Sequence, residues 1–255
     1  MRILIGVAGL PGSGKTTFSG NMVEALNERY HMARGSDHPD FPETQPHVVN
    51  IACLVPLDGF HLTRAQLAAM PNPEEAAYRR GAAFTFDLKR YCERVQQLRM
   101  RVLPETRTIH WPSFDHAIKD PVENDMAIAP GTQIVFIEGL YTALDEEGWR
   151  DAANMMDELW FVELPMERAV ERLVQRHVAS GISPDESHAR ARVLASDMKN
   201  GQQVLDHCLP IQELIHSIEQ TASATRLTCS HETGDPHEKQ RRATISEMAA
   251  NGGGC

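Results

Sequence analysis

Residues Gly9 to Thr16 read GLPGSGKT and match the spacing G-x-x-x-x-G-K-[ST]. Chemistry at this spacing is phosphate chemistry. Glycines let backbone N–H groups turn inward around a phosphate, a helix N-terminus adds its dipole, Lys15 reaches the β and γ phosphates, and the Thr16 hydroxyl suits Mg²⁺. A nucleotide contact is therefore expected from Gly9, Leu10, Pro11, Gly12, Ser13, Gly14, Lys15, Thr16 and Thr17.

Two carboxylates follow apolar runs and each precedes a glycine, in VPLDGFHL (Asp58) and IVFIEGLY (Glu138). An acid ending a buried parallel strand beside a phosphate loop is the Walker B arrangement, so Glu138 is a candidate Mg²⁺ ligand. Asp58-Gly59 permits two readings: a hairpin turn, or a carboxylate held at a strand end facing substrate. A hairpin needs a matching strand soon afterwards, and TRAQLAAMPNPEEAAYRR offers none. Arg168, Arg172 and Arg176 recur every four residues and form one row on a helix. Either they are solvated partners of Glu167 and Glu171, or they belong to a lid that neutralises charge on a transferred phosphoryl group. Arg190 and Arg192 are weaker candidates for that task. His61 and His116 each lie beside an acid and an aromatic residue. No histidine pair has cysteine-supported zinc spacing, so no structural metal is expected.

These residues need a sheet to position them. RILIGVAG, HVVNIACLVPLDGF, TQIVFIEGLY and DELWFVELP read as strands, most of them continuously apolar as in a sheet buried on both faces, and ELIHSIE as a last strand. Helices are expected from Lys15 (Phe18, Met22 and Leu26 inward), over FDLKRYCERVQQLRMRV after an Asp87 N-cap, over MERAVERLVQRHVAS as far as Gly181, and after a capping box of Ser183, Pro184 and Glu186. The segment 31–47 is expected to be a surface loop, 103–131 a long functional or disordered loop, and 222–255 a flexible tail. Alternating strands and helices predict a three-layer α/β/α fold of the P-loop NTPase type, with a central parallel sheet and a helical lid over about 168–200, in one domain spanning 1–221. Ligands of such sheets bind beyond the carboxyl ends of the strands, where Gly9, Asp58 and Glu138 fall.

The totals narrow the partners. A formal charge of −10 argues against a nucleic-acid-coating surface, so any anion must be met locally. Five scattered cysteines without CxxC spacing read as reduced thiols of a cytoplasmic protein. No apolar run approaches the roughly 18 residues that span a bilayer, so no membrane is expected.

The chain resembles the P-loop kinases that include uridine kinase, phosphoribulokinase and bacterial pantothenate kinase, above all a kinase-like branch with a fungal ATP-dependent kinase. LDGFHL, YRRGAAFTFD, PSFDHAIKDP, FIEGLY and RLVQRHVASGIS carry the resemblance, from about Arg2 to about Glu219. It implies ATP and Mg²⁺ as cofactors and the hydroxyl of a small metabolite as acceptor. It implies that Asp58 takes the acceptor proton and that Arg176, or secondarily Arg172, belongs to the lid. It places the metal among Thr16, Glu138 and Asp58. It makes Tyr78, Arg79, Arg80, Phe114, Asp115, His116 and Lys119 the substrate enclosure. Phe60 and His61, just past Asp58, are read as further walls of the acceptor pocket, and a monomer or homodimer is expected. The rival class is a nucleotide-dependent switch or assembly NTPase without a small acceptor; neither N-K-x-D nor LSGGQ is present to favour it.

Overall fold

The structure is a computed structural model and describes residues 1–35 and 50–217. Five strands form a parallel sheet: β1 (Ile3–Gly9), β2 (Ala52–Pro56), β5 (Ile134–Glu138), β6 (Glu158–Glu163) and β7 (Glu213–His216), in the spatial order β2-β5-β1-β6-β7. Period two sets the layers. Ile5 and Val7 of β1 pack with Phe18, Met22 and Leu26 of α1 (Lys15–Gly35), whereas Leu4 and Ala8 point to the other face, towards Tyr91, Val95 and Leu98 of α4 (Leu88–Arg99). With both faces covered, the strands carry the apolar runs that parallel sheets require.

The Asp87 carboxylate caps α4 by accepting from the Arg90 N–H at 3.1 Å. The helix ends at Arg99, short of Val102, because Met100 turns to extended backbone. After the first acid, α2 (Arg64–Ala68) and α3 (Pro73–Tyr78) follow, with no strand to complete a hairpin.

The segment 103–131 differs from its expectation: it builds an antiparallel hairpin of β3 (Ile109–Asp115) and β4 (Asp120–Ile128). Pro112, Pro121 and the exposed middle of β4 mask the alternation that would have revealed it. The fully buried Trp111 anchors the hairpin, its indole N–H donating to the Pro56 carbonyl at 2.8 Å.

Beyond α5 (Trp149–Ala153), the segment expected as a lid holds α6 (Met166–Ala179), α7 (Glu186–Arg192), a π turn (Val193–Asp197) and α8 (Met198–Asp206). Leu10 of the phosphate loop packs into the cluster formed by Ala169, Val170, Leu173 and Val174 of α6 with Ala189 and Met198. The N-cap of α7 is Asp185, not Ser183: its carboxylate accepts from the His188 N–H at 2.9 Å, and those bonds hold it well below the usual carboxylate range. Ser183 instead closes α6, donating its N–H to the His177 carbonyl at 3.2 Å.

Helix α1 absorbs residues 31–35 of the expected loop; 36–47 and the expected tail lie outside the described residues. Cys53, Cys92 and Cys208 are free thiols, and burial pushes Cys53 and Cys208 up to about 12. Among the described residues no helix is long and apolar enough to cross a membrane.

Candidate active site

The phosphate loop joins β1 to α1 through three glycines of positive φ: Gly9 at 147°, Gly12 at 81° and Gly14 at 93°. A Cβ on Gly9 would stand 2.5 Å from the Val162 carbonyl oxygen, so the turn out of β1 admits no side chain. The loop closes on itself by the Ser13 N–H bond to the Leu10 carbonyl at 3.1 Å. The Ser13 hydroxyl is buried without a hydrogen-bond partner. Pro11 is half-buried beside the buried Leu10, and Thr17 is exposed on the first turn of α1.

The Lys15 ammonium sits inside the loop, donating to the carbonyls of Gly9 at 3.0 Å and Leu10 at 3.1 Å. Burial lowers its pKa, and the charges of Glu138 and Asp58 oppose that while Arg176 adds to it. Strands β1, β5 and β2 therefore deliver Lys15, Glu138 and Asp58 to one place. Register explains why: Glu138 lies opposite both Val7 of β1 and Pro56 of β2. The Thr16 hydroxyl donates to Glu138 Oε1 at 3.1 Å. Burial pushes the Glu138 carboxyl upward, with Lys15 opposing. Two hard oxygen donors side by side, one an acid in need of positive charge, fit Mg²⁺, which takes few protein ligands beside substrate phosphates. Among the described residues no group of three or more His, Cys, Asp or Glu could hold a metal ion.

Asp58 stands in a 3₁₀ turn, Leu57–Phe60, directly after β2. Each acid's glycine has a packing reason. A Cβ on Gly59 would stand 2.0 Å from the Pro112 carbonyl oxygen, and one on Gly139 would stand 2.3 Å from Leu57 Cβ. Gly59 thus lets the hairpin close over the turn that carries Asp58. Gly59→Ala is expected to cost about 1–3 kcal/mol of stability and to lower the denaturant midpoint; an unchanged midpoint would show that the hairpin yields freely.

His61 folds back on this turn, its Nδ1 2.8 Å from the Asp58 carbonyl, and its ring lies 4.1 Å from Phe86 and 5.0 Å from Phe114 between centroids. Burial holds it below its ordinary pKa. Arg80 lies over the Phe114 ring at 5.2 Å and bonds the Leu62 carbonyl at 2.8 Å, Asp120 at 3.0 Å and the Lys119 carbonyl. His116 stacks edge-on to Phe114 at 5.2 Å. His61, Arg80, Phe114 and His116 therefore form one wall, whereas Phe60, expected beside His61, is fully buried in the core against Tyr91 and Trp111. Asp115 turns its carboxylate to the Ala117 N–H at 2.7 Å, capping the hairpin turn, and Lys119 is exposed at a φ of 58°.

YRRG divides. Tyr78 and Arg79 face the α6–α8 segment, Tyr78 under the Arg192 guanidinium at 5.6 Å and Arg79 donating to Asn200 at 3.0 Å. Of the arginine row, Arg168 pairs with Glu171 at 2.8 Å, the solvated alternative. Arg172 instead donates to the Gly12 carbonyl and the Ser217 hydroxyl, both at 3.2 Å. Arg176 acts electrostatically on Lys15. Arg190 is exposed on α7.

Three contributors had no motif to announce them. Asn200 holds Arg79, Gly201 lies where a Cβ would meet Leu10 Cδ2 at 2.8 Å, and Ser217 meets Arg172. Each acts through a contact more than 40 residues distant in sequence, so local pattern carries no sign of it.

Residues 4–181 match the model of the Phosphoribulokinase / Uridine kinase family. The ATP-dependent kinase-like protein notR' of Aspergillus versicolor is 50% identical over 171 residues, which cover 67% of this chain and 99% of that one. ATP-dependent kinase YFH7 of Saccharomyces cerevisiae is 27% identical over 197 residues, covering 66% of this chain and 56% of that one. The crystal structure of YFH7 shares the fold, with a TM-score of 0.71 at 23% identity over 84% of this chain and 92% of that one.

Proposed function

Because the chain belongs to the Phosphoribulokinase / Uridine kinase family, we propose that it transfers the γ-phosphoryl group of ATP to a hydroxyl of a small metabolite. The observation that carries this reading is the gathering of Lys15, Thr16, Glu138 and Asp58 at the carboxyl ends of three adjacent strands. A phosphate cradle alone serves any nucleotide protein. A second acid beyond the Walker B position, next to a wall of His61, Arg80, Phe114 and His116, is what an acceptor needs.

In this reading the loop amides and Lys15 hold the β and γ phosphates. Asp58 orients the acceptor hydroxyl and takes its proton as the oxygen bonds to the γ phosphorus, while the bond to the bridging oxygen of ADP breaks. Phosphate monoester and ADP leave, and Asp58 returns the proton to water. In a loose transition state positioning by Asp58 counts for as much as basicity. Arg176 and Arg172 offset charge on the transferred group. Thr16 and Glu138, with Asp58 as a further donor, would hold Mg²⁺, which would supply positive charge against the phosphates. Tyr78, Arg79, Asp115 and Lys119 complete the enclosure around a nucleoside, a sugar or a pantothenate-like alcohol.

A panel of nucleosides, sugars and vitamin alcohols tests this. ADP release is expected to be slow with ATP alone and to rise sharply with one compound. Stimulation by a protein partner alone would favour the nucleotide-switch reading.

A further inference from the structure

An arginine-lined cavity lies at the other end of β1. Arg2 precedes this strand and Gly9 ends it, which separates the two by ~23 Å of extended chain. Around Arg2, the end of α4, the segment after it and the hairpin line a half-open cavity of ≈ 420 Å³. That volume suits a small metabolite. Arg2, Arg94, Arg101 and Arg107 line it, and no aspartate or glutamate does, in a chain whose formal charge is −10.

Arg2 is 2% exposed, yet its Nε and Nη2 have no hydrogen-bond partner, and its Nη1 reaches only the Leu98 carbonyl at 3.5 Å. The nearby Asp157 is already engaged, by Arg99 at 2.7 Å and the Leu4 N–H at 2.8 Å. A buried guanidinium without an anion is unfavourable, and burial lowers the Arg2 pKa accordingly. Arg101 and Arg107 are exposed. Met100 and Leu103, 65% and 43% exposed, give the same cavity an apolar side.

We propose that this cavity binds a small phosphorylated metabolite, its phosphoryl dianion on Arg2, Arg94, Arg101 and Arg107 and its apolar body on Met100 and Leu103. Planar guanidinium forks match phosphate oxygens in pairs, which an ammonium cannot do. The site is independent of the phosphoryl-transfer reading.

Calorimetric titration of phenyl phosphate, on protein saturated with Mg²⁺ and a non-hydrolysable ATP analogue, tests it with the phosphate loop filled. One site per chain is expected. Arg101→Glu combined with Arg107→Glu should weaken it by about tenfold or more, and Arg2→Met similarly. The double variant changes only exposed side chains, so its melting temperature should match wild type and keep the test valid if Arg2→Met misfolds. Absence of the site, binding that survives the double variant, or inorganic phosphate binding as tightly as phenyl phosphate would overturn the proposal.

Discussion

Asp58→Asn is expected to lower turnover by about a hundredfold or more while leaving ATP affinity close to wild type. The substitution keeps the shape of the side chain and removes its capacity to take a proton. The turn survives it, because His61 bonds the main-chain carbonyl of Asp58 through both its N–H, at 3.1 Å, and its Nδ1, at 2.8 Å. The wall of His61, Arg80, Phe114 and His116 therefore stays in place. The phosphate loop is built on a different strand, and the asparagine carbonyl keeps an oxygen donor for Mg²⁺, so nucleotide contacts remain. Steady-state rates with a stimulating acceptor, beside calorimetric ATP binding, separate the two effects. Near-normal turnover would remove Asp58 from the base role.

Lys15→Met is expected to lower turnover by about 10²–10³ and to raise the KM for ATP as well. Methionine preserves the apolar stem and removes the ammonium that would meet the β and γ phosphates. It also leaves the Gly9 and Leu10 carbonyls without their donor. A further loss comes through Glu138. Burial already pushes that carboxyl upward and Lys15 is the first charge that opposes it, so without Lys15 the acid is neutral over a wider pH range. A neutral Glu138 is a poorer partner for Mg²⁺. Turnover within tenfold of wild type at unchanged KM would contradict this account of the loop.

The parts of the site that were legible in the sequence are those whose cause is local. A phosphate loop needs its glycines, lysine and hydroxyl at fixed spacing, and the flanking strand and helix have opposite hydrophobic periods, so Gly9 to Thr16 reads directly. The two acid-glycine pairs read as strand ends for the same reason. What glycine does there was less legible, because the atoms it makes room for come from afar: Pro112 for Gly59, Leu57 for Gly139. The hairpin that carries Phe114 and His116 escaped because its outer strand is solvated and interrupted by proline, which leaves no apolar alternation to detect. At α7 two caps competed, and the carboxylate of Asp185 displaced the expected Ser183. The division of YRRG between the wall and the α6–α8 segment depends on Asp120 for Arg80 and on Asn200 for Arg79. The arginines of the second cavity come from β1's leading edge, from α4 and from the segment after it, and only the fold shows them as a group.

The central claim is that the phosphoryl group goes to a carbon-bound hydroxyl and not to water. ATP labelled isotopically in its γ-phosphoryl group, incubated with the acceptor that stimulates ADP release, tests it by mass spectrometry of the products. The label is expected in a phosphate monoester of that acceptor, in step with ADP formed, and to be lost from that product with Asp58→Asn. Label recovered as inorganic phosphate, with the acceptor unchanged, would contradict it.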